Sequence, residues 1–397
     1  MKALKSLLWL LGVTGYPAPP QTISDIPGTF VPFDRLSTCP QLPPRTHPPA
    51  SVRDLRPDDI SVVMAMGDSI TAGFLARSPG FFETHRTDET QEPLISVPVA
   101  REYRGLSYPI GGDDGAITVP NILGHWSKNL TGMSRGHHPL LACIGGWCAW
   151  RYDDGLNAAI SGSTSQNLVA QARDYLIPTI KGMKIERAAW KLLNVGIGAN
   201  DICAFCLSPN TSLPLVGTPE DFASGVRDAV ELLRQRVPNM IVNIVGLLRV
   251  SLVYKLTLQD PYCRGPFLPP IPHLPMECSC AFLPGPAGDY TRAKMDELAD
   301  LYDEALIQLV RDWAEENNST FAATWQPGSA IDLERFPIEA LSPVDCFHPS
   351  ELAHQRVAAG FWNRLTRPVE EKALPVEWTD EVFVRCLEDD DRINIGV

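Results

Sequence analysis

Short apolar runs alternate with helix-forming segments along most of the chain, and this alternation limits its fold more than any other feature. Most runs are continuous stretches of apolar and β-branched residues, as expected for a parallel sheet buried on both faces. The predicted strands cover residues 61–66, 156–160, 190–197, 240–248 and 320–325. The alternation predicts an α/β protein with a three-layer α/β/α fold and a mostly parallel central sheet of about five strands.

The segments between the strands carry helix signals. Thr218 can cap a helix whose first turn holds Pro219, which suits that turn because it has no N–H to leave unpaired. Apolar residues then recur at helical spacing as far as Val237. Two further helices are predicted over residues 295–313 and 349–365.

The chain is acidic, with a formal net charge of −13 over 397 residues. We therefore expect no nucleic-acid partner and no capture by anionic membranes through charge alone. Two long stretches, residues 74–150 and 251–289, interrupt the alternation and are rich in Gly or Pro. Loops of this length are usually functional or covalently tied down.

The N-terminal residues have the composition of a secretory signal peptide, with two lysines followed by a short apolar run over residues 7–13. Beyond this signal we expect no transmembrane segment, because no later stretch has about eighteen uncharged apolar residues. The predicted organisation is a signal peptide (1–15), a proline-rich arm (16–57), a single α/β domain (58–370) and an acidic tail (371–397).

Ten cysteines, an even number, agree with a secreted protein that contains disulfide bonds. Cys203 and Cys206 are also spaced like half of a zinc site, but no matching Cys or His pair follows at zinc-finger spacing. We therefore expect disulfides here, with no metal and no cofactor. The sequence also offers glycosylation acceptors at Asn129, Asn210, Asn317 and Asn318.

Three predicted strands end in residues that can act together in a nucleophilic reaction. Ser69 follows the first strand in the sequence Gly67-Asp68-Ser69, Gly162 follows the second, and Asn200 follows the third. In an open parallel sheet the carboxyl ends of the strands share one edge, where ligands bind. We therefore expect Ser69, Gly162 and Asn200 to converge at this edge.

A base and its orienting carboxylate occur in the stretch SPVDCFHPSELAH, where Asp345 and His348 are three residues apart. A serine hydroxyl is a weak nucleophile until a base such as histidine takes its proton. Asp345 can hold the imidazole tautomer and stabilise the imidazolium. The backbone N–H groups of Ser69 and Gly162, with the amide of Asn200, can stabilise a tetrahedral oxyanion.

Each motif alone has an ordinary structural explanation. Gly-Asp-Ser is a common turn, Gly162 can be a turn glycine, and Asn200 can cap a helix. His348 can be a buried interior residue or mark a helix start. Together, in order at the strand ends, they predict a serine hydrolase with the triad Ser69, Asp345 and His348.

Four short motifs, GDS, the glycine of ISGS, GAND and DCFH, resemble those of the GDSL/SGNH hydrolases. Longer stretches at residues 103–123, 198–206, 218–248 and 345–354 resemble the phospholipase B branch of that superfamily, over about residues 55–370. The resemblance implies an SGNH-hydrolase-like fold, the same triad and oxyanion donors, and phospholipase A and lysophospholipase activity without a metal.

The substrate implied by this resemblance is a phospholipid or lysophospholipid at a lipid interface, cleaved by a secreted enzyme. Two alternatives stay open: an esterase for other esters, such as acetylated glycans, and a secreted binding module without catalysis. Aromatic residues of the first long stretch line an acyl groove or pack in the core, namely Phe74, Phe81, Phe82, Trp126 and Trp147. We expect His137 and His138 to lie in a solvated loop.

Overall fold

The computed structural model describes residues 26–77, 100–140, 152–204, 217–258, 260 and 278–397. The predicted signal peptide therefore lies outside the described residues. The strands are β1 (Phe30–Pro32), β2 (Ile60–Gly67), β3 (Arg101–Glu102), β4 (His138–Pro139), β5 (Trp190–Gly196), β6 (Met240–Val245), β7 (Phe321–Gln326) and β8 (Phe383–Arg385).

The α-helices are, in chain order, α1 (Ser69–Ala72), α2 (Val119–Leu123), α3 (Leu168–Ala170), α4 (Ile177–Gly182), α5 (Ala199–Cys203), α6 (Pro219–Arg236), α7 (Ser251–Thr257), α8 (Ser279–Phe282), α9 (Gly285–Glu315), α10 (Glu351–Arg364) and α11 (Val369–Lys372). A π-helical turn joins α3 to α4. The three predicted helices are confirmed as α6, α9 and α10. Among the described residues, no helix is long and apolar enough to cross a membrane.

The central sheet has four parallel strands within the described ranges, in the order β2-β5-β6-β7. β6 and β7 are buried at every position, as their continuous apolar composition predicts. Alternate residues of each strand enter two separate cores because successive side chains point to opposite faces. Met64, for example, belongs to one core and Val63 to the other.

Helices cover both faces of the sheet, which confirms the three-layer α/β/α fold. Helices α4, α6 and α9 pack on the face that includes Met64. Helices α2 and α10 pack on the face that includes Val63. Helix α6 begins as predicted: the Thr218 hydroxyl accepts a hydrogen bond from Asp221 N at 3.1 Å, and the Asp221 carboxylate accepts one from Thr218 N at 3.2 Å.

The predicted fifth strand, residues 156–160, is wrong as a regular strand. This segment runs beside β2, and Ala65 bonds to Leu156 O and Ala158 N at 3.0 and 2.9 Å. The next bond of a parallel ladder would join Gly67 N to Ala158 O. The Gly67 N–H donates instead to the side-chain oxygen of Gln171 at 2.9 Å. The Gln171 side chain thus takes one bond of the ladder at the end of β2, while Ile160 N still donates to Gly67 O at 3.3 Å.

The two ends of the described chain pack together. β1 pairs with β8 in antiparallel fashion, and a disulfide joins Cys39 to Cys386. Near the C-terminus, Gly396 hydrogen-bonds to the backbone of β7. Its N–H donates to Ala323 O at 2.7 Å. The described residues of the predicted arm and tail therefore pack against the sheet and α10.

A second disulfide joins Cys203, at the end of α5, to Cys278. Cys203 is therefore no zinc ligand, and its bond ties the end of the second long stretch to α5, the helix that contains Asn200. Cys280 and Cys346 are also disulfide-bonded. Cys206 lies outside the described residues.

Candidate active site

Ser69 lies where β2 ends and α1 begins. Gly67 is required at the last strand position, because a β-carbon there would lie 2.4 Å from Gly196 O. The Asp68 side chain caps the short helix by accepting a hydrogen bond from Ile70 N at 3.0 Å. Ser69 therefore has a fixed backbone at the carboxyl edge of the sheet, and its N–H lies in the first turn, where helix N–H groups have no intrahelical partner.

Asp345 and His348 lie in a tight turn before α10. One carboxylate oxygen of Asp345 accepts hydrogen bonds from Phe347 N and His348 N at 3.0 and 3.1 Å. Cys346 between them has a φ of 52°, in the left-handed region that a tight turn requires. Its N–H donates to Ser342 O at 2.8 Å, which closes the turn. The three-residue spacing thus places the carboxylate beside the imidazole of its own loop.

The structure brings the three predicted triad residues into one chain of hydrogen bonds. His348 Nε2 lies 2.8 Å from Ser69 Oγ, and His348 Nδ1 lies 2.5 Å from Asp345 Oδ2. All three side chains are buried. The ring of Phe74 meets the imidazole edge-on at 4.8 Å between centroids, which fixes its orientation. This arrangement allows His348 to take the Ser69 proton while Asp345 holds the other ring nitrogen.

Asp68 adjoins the triad without joining it. Burial raises the pKa of Asp68 to about 7, an effect opposed by its hydrogen bond from Ile70 N and by nearby His348. A carboxyl group with this pKa is largely uncharged below neutral pH. Its role in the structure is to cap α1 behind Ser69.

Gly162 and Asn200 adjoin each other at the same edge of the sheet. Gly162 has a φ of 82°, and a β-carbon built there meets no other atom within 4 Å, so its turn faces open space. The Asn200 amide donates to Ser163 O at 2.9 Å, beside that turn. An amide nitrogen carries two hydrogens, so a second donor remains at Asn200. Asn200 also lines the pocket that contains Ser69 and His348.

Two side chains that sequence reasoning missed hold these loops. Asp201 accepts hydrogen bonds from the N–H and the hydroxyl of Ser165, the latter at 2.7 Å. Burial raises the pKa of Asp201, and the bonds from Ser165 oppose this shift. Gln171 donates to Gly67 O at 2.7 Å and to the Ser163 hydroxyl at 3.1 Å. The loop around Gly162 is thereby attached both to α5 and to the strand that carries Ser69.

An apolar pocket opens to solvent beside Ser69 and His348. Its walls come mainly from the segment after β6 and from the irregular segment before the His348 turn. The apolar lining includes Leu247, Val250, Val253, Leu333, Phe336, Ala340 and Leu341. Such a pocket can take an apolar chain attached to a group that reacts at Ser69.

Of the two alternatives for the aromatic residues, acyl groove or core, the structure places Trp126 in the core. Its ring stacks on Trp362 at 5.3 Å in the core below α10, and its indole N–H donates to Pro40 O at 3.0 Å. Phe74 does reach the site, but through its contact with His348. Phe81, Phe82 and Trp147 lie outside the described residues. The observed wall of the pocket comes from segments with irregular backbone, in which the sequence has no periodic apolar pattern.

The expectation of a solvated histidine pair is wrong for one member. His137 is exposed, but His138 is buried and lies 2.9 Å from Asp154 Oδ1. His138 lies in β4, which pairs with β3, whereas His137 precedes that strand.

The sequence profile of the GDSL-like lipase/acylhydrolase family matches residues 63–361, which include every predicted catalytic and oxyanion residue. Membrane-associated phospholipase B1 of Rattus norvegicus is 28% identical over 361 residues, which are 88% of this chain and 22% of that protein. The Homo sapiens phospholipase B1 is 26% identical, over 90% of this chain and 23% of its own. The chain thus spans less than a quarter of the length of these curated relatives.

Solved structures with a similar fold include an extracellular lipase from Streptomyces rimosus. It is 12% identical, with a TM-score of 0.35, and the match covers 74% of this chain and 94% of the lipase. An acetylxylan esterase from Geobacillus stearothermophilus is 17% identical, with a TM-score of 0.35 and coverage of 80% and 97%.

Proposed function

Because the chain belongs to the GDSL-like lipase/acylhydrolase family and is therefore a carboxylic ester hydrolase, we propose that its substrates are phospholipids and lysophospholipids, from which it releases long-chain fatty acids. The observation that carries this proposal is the apolar pocket that opens beside Ser69 and His348. The name of the curated relatives, phospholipase B1, supports the same substrate class.

The pocket favours a long acyl chain over an acetyl group. Each methylene removed from water contributes about 0.8 kcal/mol, so a long chain gains far more from an apolar wall than a short one does. An esterase for acetylated glycans needs no such wall, because only a methyl group enters beside the nucleophile. The acidic net charge further favours zwitterionic lipids such as phosphatidylcholine over anionic ones.

In the proposed mechanism Ser69 Oγ attacks the ester carbonyl carbon, and His348 Nε2 takes the hydroxyl proton. Asp345 stabilises the imidazolium. The tetrahedral intermediate collapses as the bond to the alcohol oxygen breaks, and that oxygen takes the proton from His348. Water then attacks the acyl-enzyme with His348 again as base, which releases the fatty acid and restores Ser69.

The proposed oxyanion hole consists of the N–H groups of Ser69 and Gly162 and the free amide hydrogen of Asn200. Fixed donors of this kind stabilise the developing negative charge without rearranging during the reaction. Because these donors do the work that a Lewis acid does in metallohydrolases, we expect the reaction to need no metal.

We further propose that the protein is secreted. Its N-terminal residues have a signal-peptide pattern, and disulfides such as Cys39–Cys386 and Cys203–Cys278 form and persist mainly in oxidising compartments. Such a location gives access to lipids outside the cell.

The substrate class is tested by incubating the purified protein with phosphatidylcholine, lysophosphatidylcholine and acetylated xylan, with and without EDTA. We expect release of long-chain fatty acid from both lipids at rates that EDTA does not change. Ala340→Phe, which fills the pocket wall, should lower the rate on long-chain esters by about tenfold or more and leave acetyl esters little affected.

The matched control is Ala373→Phe, an exposed position outside the pocket lining, which should leave chain-length preference unchanged. Thermal unfolding of both variants shows that each is folded. Cleavage of acetyl esters alone, or loss of activity in EDTA, would replace the phospholipase proposal with a glycan or metal-dependent esterase.

Replacing Asn200 tests the oxyanion hole. Asn200→Ala should lower kcat by about a hundredfold or more, because it removes one donor that acts in the transition state. The KM should change little, since the ground-state carbonyl does not yet carry the charge. Steady-state kinetics with a soluble p-nitrophenyl ester measure both constants. A change confined to KM would assign Asn200 to substrate binding instead.

A further inference from the structure

Ser161, the residue before Gly162, is attached to a buried ion pair outside the triad. Its hydroxyl donates to Glu102 Oε1 at 2.6 Å. The other oxygen of Glu102 accepts hydrogen bonds from Arg104 Nε and Nη2 at 3.0 and 2.8 Å. The side chains of Glu102 and Arg104 are wholly shielded from solvent.

The same arginine holds the backbone that leads to Gly162. Arg104 donates to Asn157 O at 3.1 Å and to Ala159 O at 2.7 Å. On the opposite side of this segment, Ala158 N donates to β2 at Ala65 O, at 2.9 Å. The guanidinium therefore binds the carbonyl groups that a neighbouring strand would otherwise bind. Glu102 adds a hydrogen bond two residues further along, at Ser161.

A buried ion pair contributes little net stability, because removing two charges from water costs about as much as their attraction returns. Its directed hydrogen bonds do fix positions. Three hydrogen bonds join the Glu102–Arg104 pair to residues 157–161. All three lie on one side of the segment that leads to Gly162. The arrangement thus acts on geometry more than on stability.

The position of the turn at Gly162 depends on these hydrogen bonds. A β-carbon built on Gly162 would meet no other atom within 4 Å, so no side chain supports that face and the residues on either side hold the turn. Ser163 is attached through Gln171 and Asn200, and Ser161 through Glu102. An oxyanion donor must lie about 2.7–3.1 Å from the developing charge, so a small shift of the turn removes its contribution.

We propose that Ser161, held by the buried Glu102–Arg104 pair, is a positioning residue that aims the Gly162 N–H at the oxyanion. This inference rests on the proposed role of Gly162 in the oxyanion hole. It assigns no contact with substrate to Ser161, Glu102 or Arg104.

The test uses the full-length protein and p-nitrophenyl butyrate, a soluble ester that does not depend on lipid specificity. Ser161→Ala should lower kcat by about tenfold to a hundredfold, the loss expected when a catalytic group is displaced by about 1 Å. The KM should stay within about twofold, because the ground state does not use the oxyanion contact. Ser161→Thr, which keeps the hydroxyl, should recover most of the lost kcat.

The matched control is Ser127→Ala, which removes a buried serine hydroxyl that likewise makes one hydrogen bond, donating to Ile60 O at 2.6 Å at the other end of β2. It should lower the unfolding temperature as much as Ser161→Ala does and leave kcat unchanged. Equal kcat for Ser161→Ala and wild type, a parallel loss in both alanine variants, or no recovery in Ser161→Thr overturns the positioning role. A wild-type protein without activity on this ester instead overturns the proposed catalytic site.

Discussion

Ser69→Ala is expected to lower kcat for ester hydrolysis by about four orders of magnitude or more, with little change in KM. The variant keeps the strand end and the Asp68 cap but has no oxygen to attack the carbonyl, so only the oxyanion donors can still accelerate the reaction. Substrate still enters the apolar pocket. Initial rates with p-nitrophenyl butyrate, measured at enzyme concentrations high enough to detect the residual rate, check this expectation.

The control for this variant is Ser224→Ala, a partly exposed serine on α6 whose hydroxyl donates to Asp221 O within the same turn. It should retain wild-type kcat. Matching circular dichroism spectra for both variants show that the fold is intact. Retention of more than a few per cent of activity by Ser69→Ala contradicts its role as nucleophile.

Asp345→Asn is expected to lower kcat by about four orders of magnitude at pH 7. The asparagine oxygen can still accept the hydrogen bonds from Phe347 N and His348 N that shape the turn. Its NH₂ group then faces His348 Nδ1, which favours the tautomer with the proton on Nε2. That tautomer cannot take the Ser69 proton. The pH dependence of kcat and the unfolding temperature are measured together.

Asp68→Asn is the matched control for Asp345→Asn, since both replace a buried carboxylate within the same site. Burial raises the pKa of Asp68 to about 7, so the side chain is already about half neutral at pH 7 and an amide changes its charge little. Asparagine is also a good helix cap. We expect a loss of less than about tenfold in this variant. A similar loss in both variants contradicts the assignment of Asp345, rather than Asp68, to the triad.

The placement of the candidate site could be predicted from local sequence because the fold itself brings its parts together. Apolar runs identified four strands, and parallel strands end at one edge, so Ser69 and Asn200 had to adjoin. The spacing of Asp345 and His348 within one turn left few ways to place the carboxylate. Their contacts match the expectation, and the catalytic role of each stays a prediction.

The pocket and the supporting contacts could not be predicted in the same way. The pocket wall comes from residues 245–253 and 331–341, which become neighbours only when irregular segments pack between α7 and α10. Gln171 accepts the Gly67 N–H through a contact across 104 residues of sequence, and no local pattern marks it. The buried His138 likewise contacts Asp154, which lies 16 residues further along the chain, and no periodic pattern links the two residues.

Covalent labelling tests the central claim, that Ser69 is an activated nucleophile, most directly. A fluorophosphonate ester reacts with a serine only where a base and an oxyanion hole assist the attack, so one adduct per chain should form as activity is lost. Peptide mass spectrometry should place that adduct on Ser69, and the Ser69→Ala variant should take up none. Full inactivation with the adduct on another residue and Ser69 unmodified would contradict the account.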